Sequence, residues 1–442
     1  MKLFRKLGSI VLAVILLLPV FTLPAMARDE ARYSLPFDVN AESYVLVSLD
    51  TGEIVFEKNM NEQLIPASLT KLMTAYVVMK YVDDLDNTMV TAPNYIYDEL
   101  YGLNSSTADI RQKEVLSVRN LLYALLLPSA NEAAGILADY VGEGNMQNFY
   151  MMMNSEAQKL GCKNTHFTNP HGLFIDDHYT SAYDMYLIAK ACYETPGFMD
   201  IVTTTTYQLP ANVKHANPYY IQSTIKMQSR SSPYYRSYVR GMKTGSLPEI
   251  GHNFVTMCEK NDERYILVVM GASKAVDPQR AFVTAAEIMD YYFENYSLRN
   301  ANTSSYPVSE VPVRYSADAD TVLLYADTEV NAILPNEADE SSFQKVYHIP
   351  ESIAAPVRRG QEIGSVDYYL AGRLIGTSLL TSHDDIERST VLFIAGKLSE
   401  MVHSLYFRTV IIVGLLLVIA IAISSYRSKK KADRMRKVHR RR

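Results

Sequence analysis

The sequence predicts an α/β protein of the α+β kind. An antiparallel sheet is interrupted by a block of helices, and a small all-β domain and a C-terminal transmembrane helix follow. Three observations predict it. Alternating apolar runs open the body and return only after Pro210. Between them lie stretches with apolar residues at helical spacing. Two apolar segments of different character bracket the whole.

The chain begins MKLFRKLGSIVLAVILLLPVFTLPAMA. Lys2, Arg5 and Lys6 precede an apolar stretch from Ile10 to Leu18, and Ala25, Met26 and Ala27 have the small-x-small form of a cleavage site. This is the pattern of a secretory signal peptide, residues 1–27, and it is set apart from the fold. From Tyr44, YVLVSLDTGEIVFEKN places two alternating runs around Asp50, Thr51 and Gly52, which marks a β-hairpin. Helical spacing then covers residues 69–81 and stretches beginning at Val115, Asn131, Met146 and Ser181. Strands return with YVRGMKTGS and with NFVTMCEKNDERYILVVMGAS, which turns at Asn261 and Asp262. AFVTAAEIMDYYFENY is a closing helix, so this first domain spans 35–298. SLRNANTSSYPVSEV is polar, contains proline and reads as a linker. Residues 305–395 hold short runs, among them a hairpin turning at Ala371, Gly372 and Arg373, and read as a small β-rich domain.

The apolar run TVIIVGLLLVIAIAI is shorter than the roughly 20 residues that span a bilayer. Ser424, Ser425 and Tyr426 can lie among headgroups and bring 405–426 close to length. The tail that follows, 427–442, carries 10 Lys/Arg and 1 Asp. By the positive-inside rule it is cytoplasmic and the body lies outside, and the tail can bind anionic lipid. The whole chain has 43 basic and 48 acidic residues; without the 3 basic residues of the leader and those of the tail, 30 face 47, a balance of about −17. So acidic an exterior is a poor nucleic-acid binder. Three cysteines are too few for a disulfide scaffold. His166, His171 and His178 cluster in HFTNPHGLFIDDH, but among turn signals and without metal-ligand spacing. No metal and no cofactor is expected.

Three short segments carry the chemistry. In PASLTK, Ser68 and Lys71 stand three apart, on one face of a helix, so that hydroxyl and amine can meet. Apolar Leu72, Met73, Tyr76 and Val77 bury that helix, and a buried lysine loses its charge readily and can act as a base. Taken alone, a serine at a helix start is more often a cap. In LLLPSANEAA, Ser129 and Asn131 occupy a turn between helices, where either could also cap the second helix. In VRGMKTGSL, Lys243, Thr244 and Gly245 present a cation, a hydroxyl and a close-approach glycine on one strand.

S-x-x-K, Ser-x-Asn and K-T-G in this order are the active-site set of penicillin-binding proteins and class A β-lactamases. Together with THFTNPHGL and HYTSAYDMYLIA, they make residues 35 to 296 resemble the D-alanyl-D-alanine carboxypeptidases, the low-molecular-mass penicillin-binding proteins. PVRRGQEIGSVDYYLAGRLIG is similar to the β-rich domain that follows in that family. The resemblance implies a β-lactamase/transpeptidase-like catalytic fold, a bacterial membrane setting, and a serine acyl-transfer reaction on peptidoglycan stem peptides ending in D-Ala-D-Ala. It also implies inhibition by β-lactam antibiotics. It gives Ser68 the role of nucleophile, Lys71 that of base and Ser129, helped by Lys243, that of proton relay. Asn131 would orient the substrate amide. The backbone N–H groups of Ser68 and Ser246 would form the oxyanion hole, beside Gly245 of the K-T-G. Thr244 would hold the free carboxylate, with Arg280 as its second partner.

Two departures from the family pattern bear on substrate choice. Arg240 stands where an acidic residue is usual before the Gly of Gly-x-Lys-Thr-Gly, and the approach segment 225–241 lacks the usual asparagines. A β-lactamase reading is disfavoured because residues 160–171 contain no glutamate to drive deacylation. A DD-endopeptidase acting on wall cross-links, or an inert wall-peptide scaffold, stays open at this stage.

Overall fold

The computed structural model describes residues 32–103, 105–247, 250–273, 279–302 and 305–439, and the chain divides into two compact units after Ser297. The leader, 1–27, lies outside the described residues.

The first unit is built on a five-stranded antiparallel sheet. β1 (Ser43–Ser48) and β2 (Ile54–Lys58) form the expected hairpin, though the small pairs β3 (Met89–Thr91) with β4 (Val115–Ser117) and β5 (Thr206–Leu209) with β6 (Tyr219–Gln222) lie apart from the main sheet. β7 (Lys243–Leu247), β8 (Gly251–Lys260) and β9 (Glu263–Ala272) complete it in the order β2-β1-β9-β8-β7. The first and last parts of this unit therefore pair directly, Val45 opposite Val268, with the helical block inserted between them. Alternation sorts the side chains to two faces. Val45, Val47, Val255, Ile266, Val268 and Met270 join the helical core. Leu46, Phe56, Phe254 and Tyr265 point the other way, where Phe56 and Tyr265 meet Tyr292 and Phe254 meets Phe282. Both faces are covered, which is why SYVLVS is buried at every position.

The helical block comprises α1 (Thr70–Tyr81), α2 (Tyr95–Leu100), α3 (Val118–Leu126), α4 (Asn131–Val141), α5 (Met146–Lys159), α6 (Ala182–Glu194) and α7 (Phe198–Val202). α1 is buried almost all round, since α3, α4, α5 and α6 all pack against it. α8 (Arg280–Asn295) covers the opposite face of the sheet. The stretch from Val115 begins as a strand, not a helix: Val115, Leu116 and Ser117 pair with β3, and Ser117 then caps α3 by accepting from Asn120 N.

In the second unit the segment read as linker is partly ordered. β10 (Tyr296–Asn300) leads into it, and Asn300 Oδ1 accepts from Val330 N at 3.0 Å. β11 (Ser309–Arg314), β12 (Thr321–Ala326), β13 (Asn331–Pro335), β14 (Phe343–His348), β15 (Ile353–Ala354), β16 (Glu362–Leu370) and β17 (Arg373–Ser382) follow, most of them in one six-stranded sheet. The strands end at Ser382. A helix that periodicity reading missed, α9 (Thr390–His403), comes next, with Gly396 seated on the Tyr315 ring and Phe393 edge-on to it. α10 (Leu405–His439) runs on without a break, beyond the expected end at 426. Its segment Leu405–Lys430 contains an 18-residue stretch of mean hydropathy 2.6 and is long and apolar enough to cross a membrane.

Leu267, wholly buried on the central strand β9, is expected to lose about 2–5 kcal/mol of stability on truncation to alanine. Val115→Ala, at a half-exposed edge, is expected to change it by no more than about 0.5 kcal/mol. Denaturant unfolding of the solubilised chain, followed by tyrosine fluorescence because there is no tryptophan, compares the two.

Candidate active site

Ser68 sits in a single 3₁₀ turn, Ala67–Leu69, that feeds α1. Neither the turn nor α1 has a side-chain cap, so the Ser68 hydroxyl is not spent on capping. Ala67 adopts φ 49°, a left-handed conformation that a buried alanine takes only when its surroundings enforce it. The enforcing contacts are visible. Thr70 Oγ1 donates to Ala67 O at 2.8 Å, and Asn253 Nδ2 donates to Ile65 O at 3.0 Å and Pro66 O at 3.1 Å. Gly172 lies so close that a Cβ there would stand 1.8 Å from Ala67 O.

Lys71 is fully buried one turn along α1. Its Nζ is 3.0 Å from Ser68 Oγ, 2.7 Å from Asn131 Oδ1 and 2.7 Å from the carbonyl oxygen of His171. The two carbonyl oxygens can only accept. A neutral amine has two hydrogens and one lone pair, so with both hydrogens committed to them its lone pair faces Ser68. Among the described residues, the contact that can deliver a proton to the neutral Nζ is therefore the serine hydroxyl. Burial, and then the nearby Lys243 cation, hold the Lys71 ammonium well below the usual lysine range, against an opposing pull from Glu132.

Ser129 has φ 68° and a buried Oγ with no hydrogen-bond partner among the described residues. It leads into α4, whose N-cap is Ala130 without a side-chain bond, so neither Ser129 nor Asn131 caps the helix. Asn131 turns its Oδ1 to Lys71 instead. Lys243, at the start of β7, is fully buried, donates to Thr244 O at 2.9 Å and is lowered by burial to about 7. The hydroxyls of Thr244 and Thr224 are 2.7 Å apart. A Cβ on Gly245 would come within 2.9 Å of Pro66 O and 3.3 Å of Ser68 N, so β7 lies directly against the nucleophile turn.

Ser68, Ser129, Thr244, Gly245 and Ser246 line one groove of about 350 Å³, with Ser106 on its wall. Lys71 and Asn131 lie buried against Ser68, and Lys243 is buried at the start of the same strand β7. Arg280 is not brought in. Its Nη2 contacts both carboxylate oxygens of Glu287, at 3.0 and 3.2 Å, one face along its own helix. The expected carboxylate partner is thus engaged elsewhere, while its neighbours Gln279 and Ala281 line the groove. Arg240 likewise pairs with Glu259 and lines no part of the groove.

Residue-by-residue reading missed three supports. Asn253 interrupts an apolar strand and, besides gripping Ile65 and Pro66, accepts from Gly271 N at 2.8 Å. A buried asparagine in such a run was the available signal. The Asn169–Pro170–His171–Gly172 turn carries the carbonyl that holds Lys71, and Thr74 Oγ1 donates to Pro170 O at 2.6 Å. The histidines of that region serve structure. His178 Nδ1 accepts from Thr168 N, so its Nε2–H donates to Thr70 Oγ1, and burial lowers it to about 4. His171 is lowered by burial to about 3.

The family model described as D-alanyl-D-alanine carboxypeptidase matches residues 29–274, more than half of the chain. The chain belongs to the D-alanyl-D-alanine carboxypeptidase family. A second model, the C-terminal domain of penicillin-binding protein 5, matches residues 293–388. D-alanyl-D-alanine carboxypeptidase DacF of Bacillus subtilis (strain 168) is 26% identical over 385 residues, 87% of this chain and 95% of that relative. DacA of Haemophilus influenzae is 29% identical over 374 residues, 82% of this chain and 89% of that one. Among solved structures, penicillin binding protein 5 from Haemophilus influenzae superposes with a TM-score of 0.60 at 28% identity, covering 80% of this chain and 99% of that one. The chain is a serine-type peptidase of this carboxypeptidase family.

Gly172→Ala has no room for its methyl group and no left-handed preference, at φ 83°. It is expected to cost more than about 1 kcal/mol, read as a lowered melting temperature, and to reduce D-alanine release by displacing the Ser68 turn.

Proposed function

We propose that this carboxypeptidase removes the terminal D-alanine from peptidoglycan stem pentapeptides through an acyl-enzyme on Ser68, and that β-lactams acylate the same oxygen. One observation carries the reading: Lys71 Nζ lies 3.0 Å from Ser68 Oγ while its other two contacts are carbonyl oxygens, so once neutral it has its lone pair left for the serine proton. Ser68 Oγ attacks the carbonyl carbon between the two D-alanines while its proton passes to Lys71 Nζ. The backbone N–H groups of Ser68 and Ser246 take the developing oxyanion, a contribution of about 2.7–4 kcal/mol per donor. The C–N bond breaks as Ser129, whose hydroxyl has no other partner among the described residues, relays the proton that Lys71 took from Ser68 to the leaving amine, which returns Lys71 to its neutral form. Water then attacks the ester, Lys71 takes its proton, and Ser68 is regenerated. Asn131 orients the substrate amide, and Thr244 with Lys243 receives the substrate's free carboxylate.

The body works outside the membrane, with the C-terminal helix spanning it once and the basic tail in the cytoplasm. The apolar span Leu405–Lys430 and the 10 Lys/Arg of the tail support this topology. Peptidoglycan is then reachable by the groove.

Ser68→Ala is expected to abolish both covalent labelling by a fluorescent penicillin and D-alanine release from a pentapeptide. Labelling that persists in this variant would place the nucleophile elsewhere, and cleavage of a cross-linked dimer faster than D-alanine release would make the enzyme an endopeptidase. The acylation rate should rise with pH, because only neutral Lys71 accepts the proton. Its acid limb lies below the range of a free lysine, since burial and Lys243 favour the neutral form. Lys243→Met removes that cation, so the limb should move to higher pH; a pH–rate profile of acylation shows the direction.

A further inference from the structure

Beside Asn131 stands Glu132, a buried carboxylate for which the mechanism above has no use. Among the described residues it has no hydrogen-bonded or ion-paired cation. Its Oε1 instead accepts from Thr107 Oγ1 at 2.6 Å and Ala108 N at 2.7 Å, with Ile110 N at 3.5 Å. One oxygen thus gathers the turn 107–110, where Asp109 has φ 57°. The residue before that turn, Ser106, lines the groove, and its carbonyl accepts from Asn131 N at 2.9 Å. The carboxylate and the peptide N–H of two adjacent helix residues therefore hold one short segment against the start of α4.

We propose that Glu132 is a positioning residue: its buried carboxylate clamps the 107–110 turn, which fixes the Ser106 wall of the groove and the Ser129–Asn131 backbone beside Lys71. This rests on the acyl-transfer reading above. Burying an anion is costly unless donors satisfy it, and a neutral glutamine would accept one of these bonds with less strength. Burial raises the Glu132 carboxyl above the usual range, against the bonds from Thr107, Ala108 and Ile110 that favour its ionised form. Glu132 favours the Lys71 ammonium, while Lys243 opposes it and His171, lowered to about 3, stays neutral. The half-buried phenols of Tyr97 and Tyr219 feel Glu132 together with Glu114 and Asp109, with Arg111 opposing at Tyr219, and are pushed upward and stay neutral. Glu132 is therefore the one anion that bears on Lys71 among the described residues, and it limits how far the base is weakened.

The two tasks separate by substitution in the full chain, with wild-type acylation by fluorescent penicillin as the control. Failure of the wild type to be labelled would overturn the acyl-enzyme reading itself rather than this one. Glu132→Gln keeps an acceptor and removes the charge, so the acid limb of acylation should move to lower pH. Glu132→Ala removes the clamp. It should lower kcat/KM for D-alanine release by about 10–100-fold, and hydrogen exchange at the 107–110 amides should accelerate. Thr107→Val, which loses one donor and is the milder test if Glu132→Ala does not fold, should give a smaller loss. Its effect should not add to that of Glu132→Gln. An unchanged pH profile in Glu132→Gln, or additive losses with unaltered amide exchange in that double variant, would overturn the proposal.

Discussion

The structure is organised around an amine without water. Lys71 Nζ is enclosed and must be satisfied by protein atoms, and the three that meet it come from the Ala67–Leu69 turn, α4 and the 169–172 turn. Each of those elements is distant in sequence from at least one other, so the bonds exist only when the helical block has assembled. The cost of burying the amine is carried by the fold and returned as chemistry, because the same enclosure makes the neutral, proton-accepting form accessible. Lys243 repeats the device in β7, lowered to about 7 by burial alone.

Two absent side chains make the enclosure possible. Gly172 lets the turn bearing the His171 carbonyl reach Ala67, and Gly245 lets β7 rest on the Ser68 turn. Asn253 binds that turn from β8. The strained Ala67 and Ser129 conformations are thus held by a sheet buried on both faces and by a helix packed on every side, the rigid parts of the molecule. Hydroxyl groups, backbone and the exposed Lys226 line the groove, while Lys71 and Lys243 lie beneath its surface. Polarity at the surface and cations below suit a substrate that is itself a peptide with a free carboxylate.

Much of this was legible in one dimension. The hairpin at 43–58, the strands on either side of Asn261–Asp262 and helices α1, α4, α5, α6 and α8 follow from periodicity, because side-chain burial alternates with the backbone repeat. The exceptions have local causes. Val115 to Ser117 is apolar enough for a helix, yet a partner strand at β3 claims it. α9 begins inside residues 305–395, whose short runs read as β-rich, although Lys397, Ser399 and Glu400 interrupt its apolar residues.

The sequence by itself determined which residues could react: a serine and lysine one turn apart, a second serine and asparagine in a turn, and a Lys-Thr-Gly strand. Spacing within an element is fixed by backbone geometry, so such pairs can be read directly. Only the tertiary structure decided what each would touch. It brought Lys71 Nζ against Ser68, Asn131 and the His171 carbonyl, spared Ser129 from capping, paired Arg280 with Glu287 and set Glu132 on the 107–110 turn. These outcomes depend on distances between segments up to 188 positions apart, as Asn253 and Ile65 are, and packing alone sets such distances.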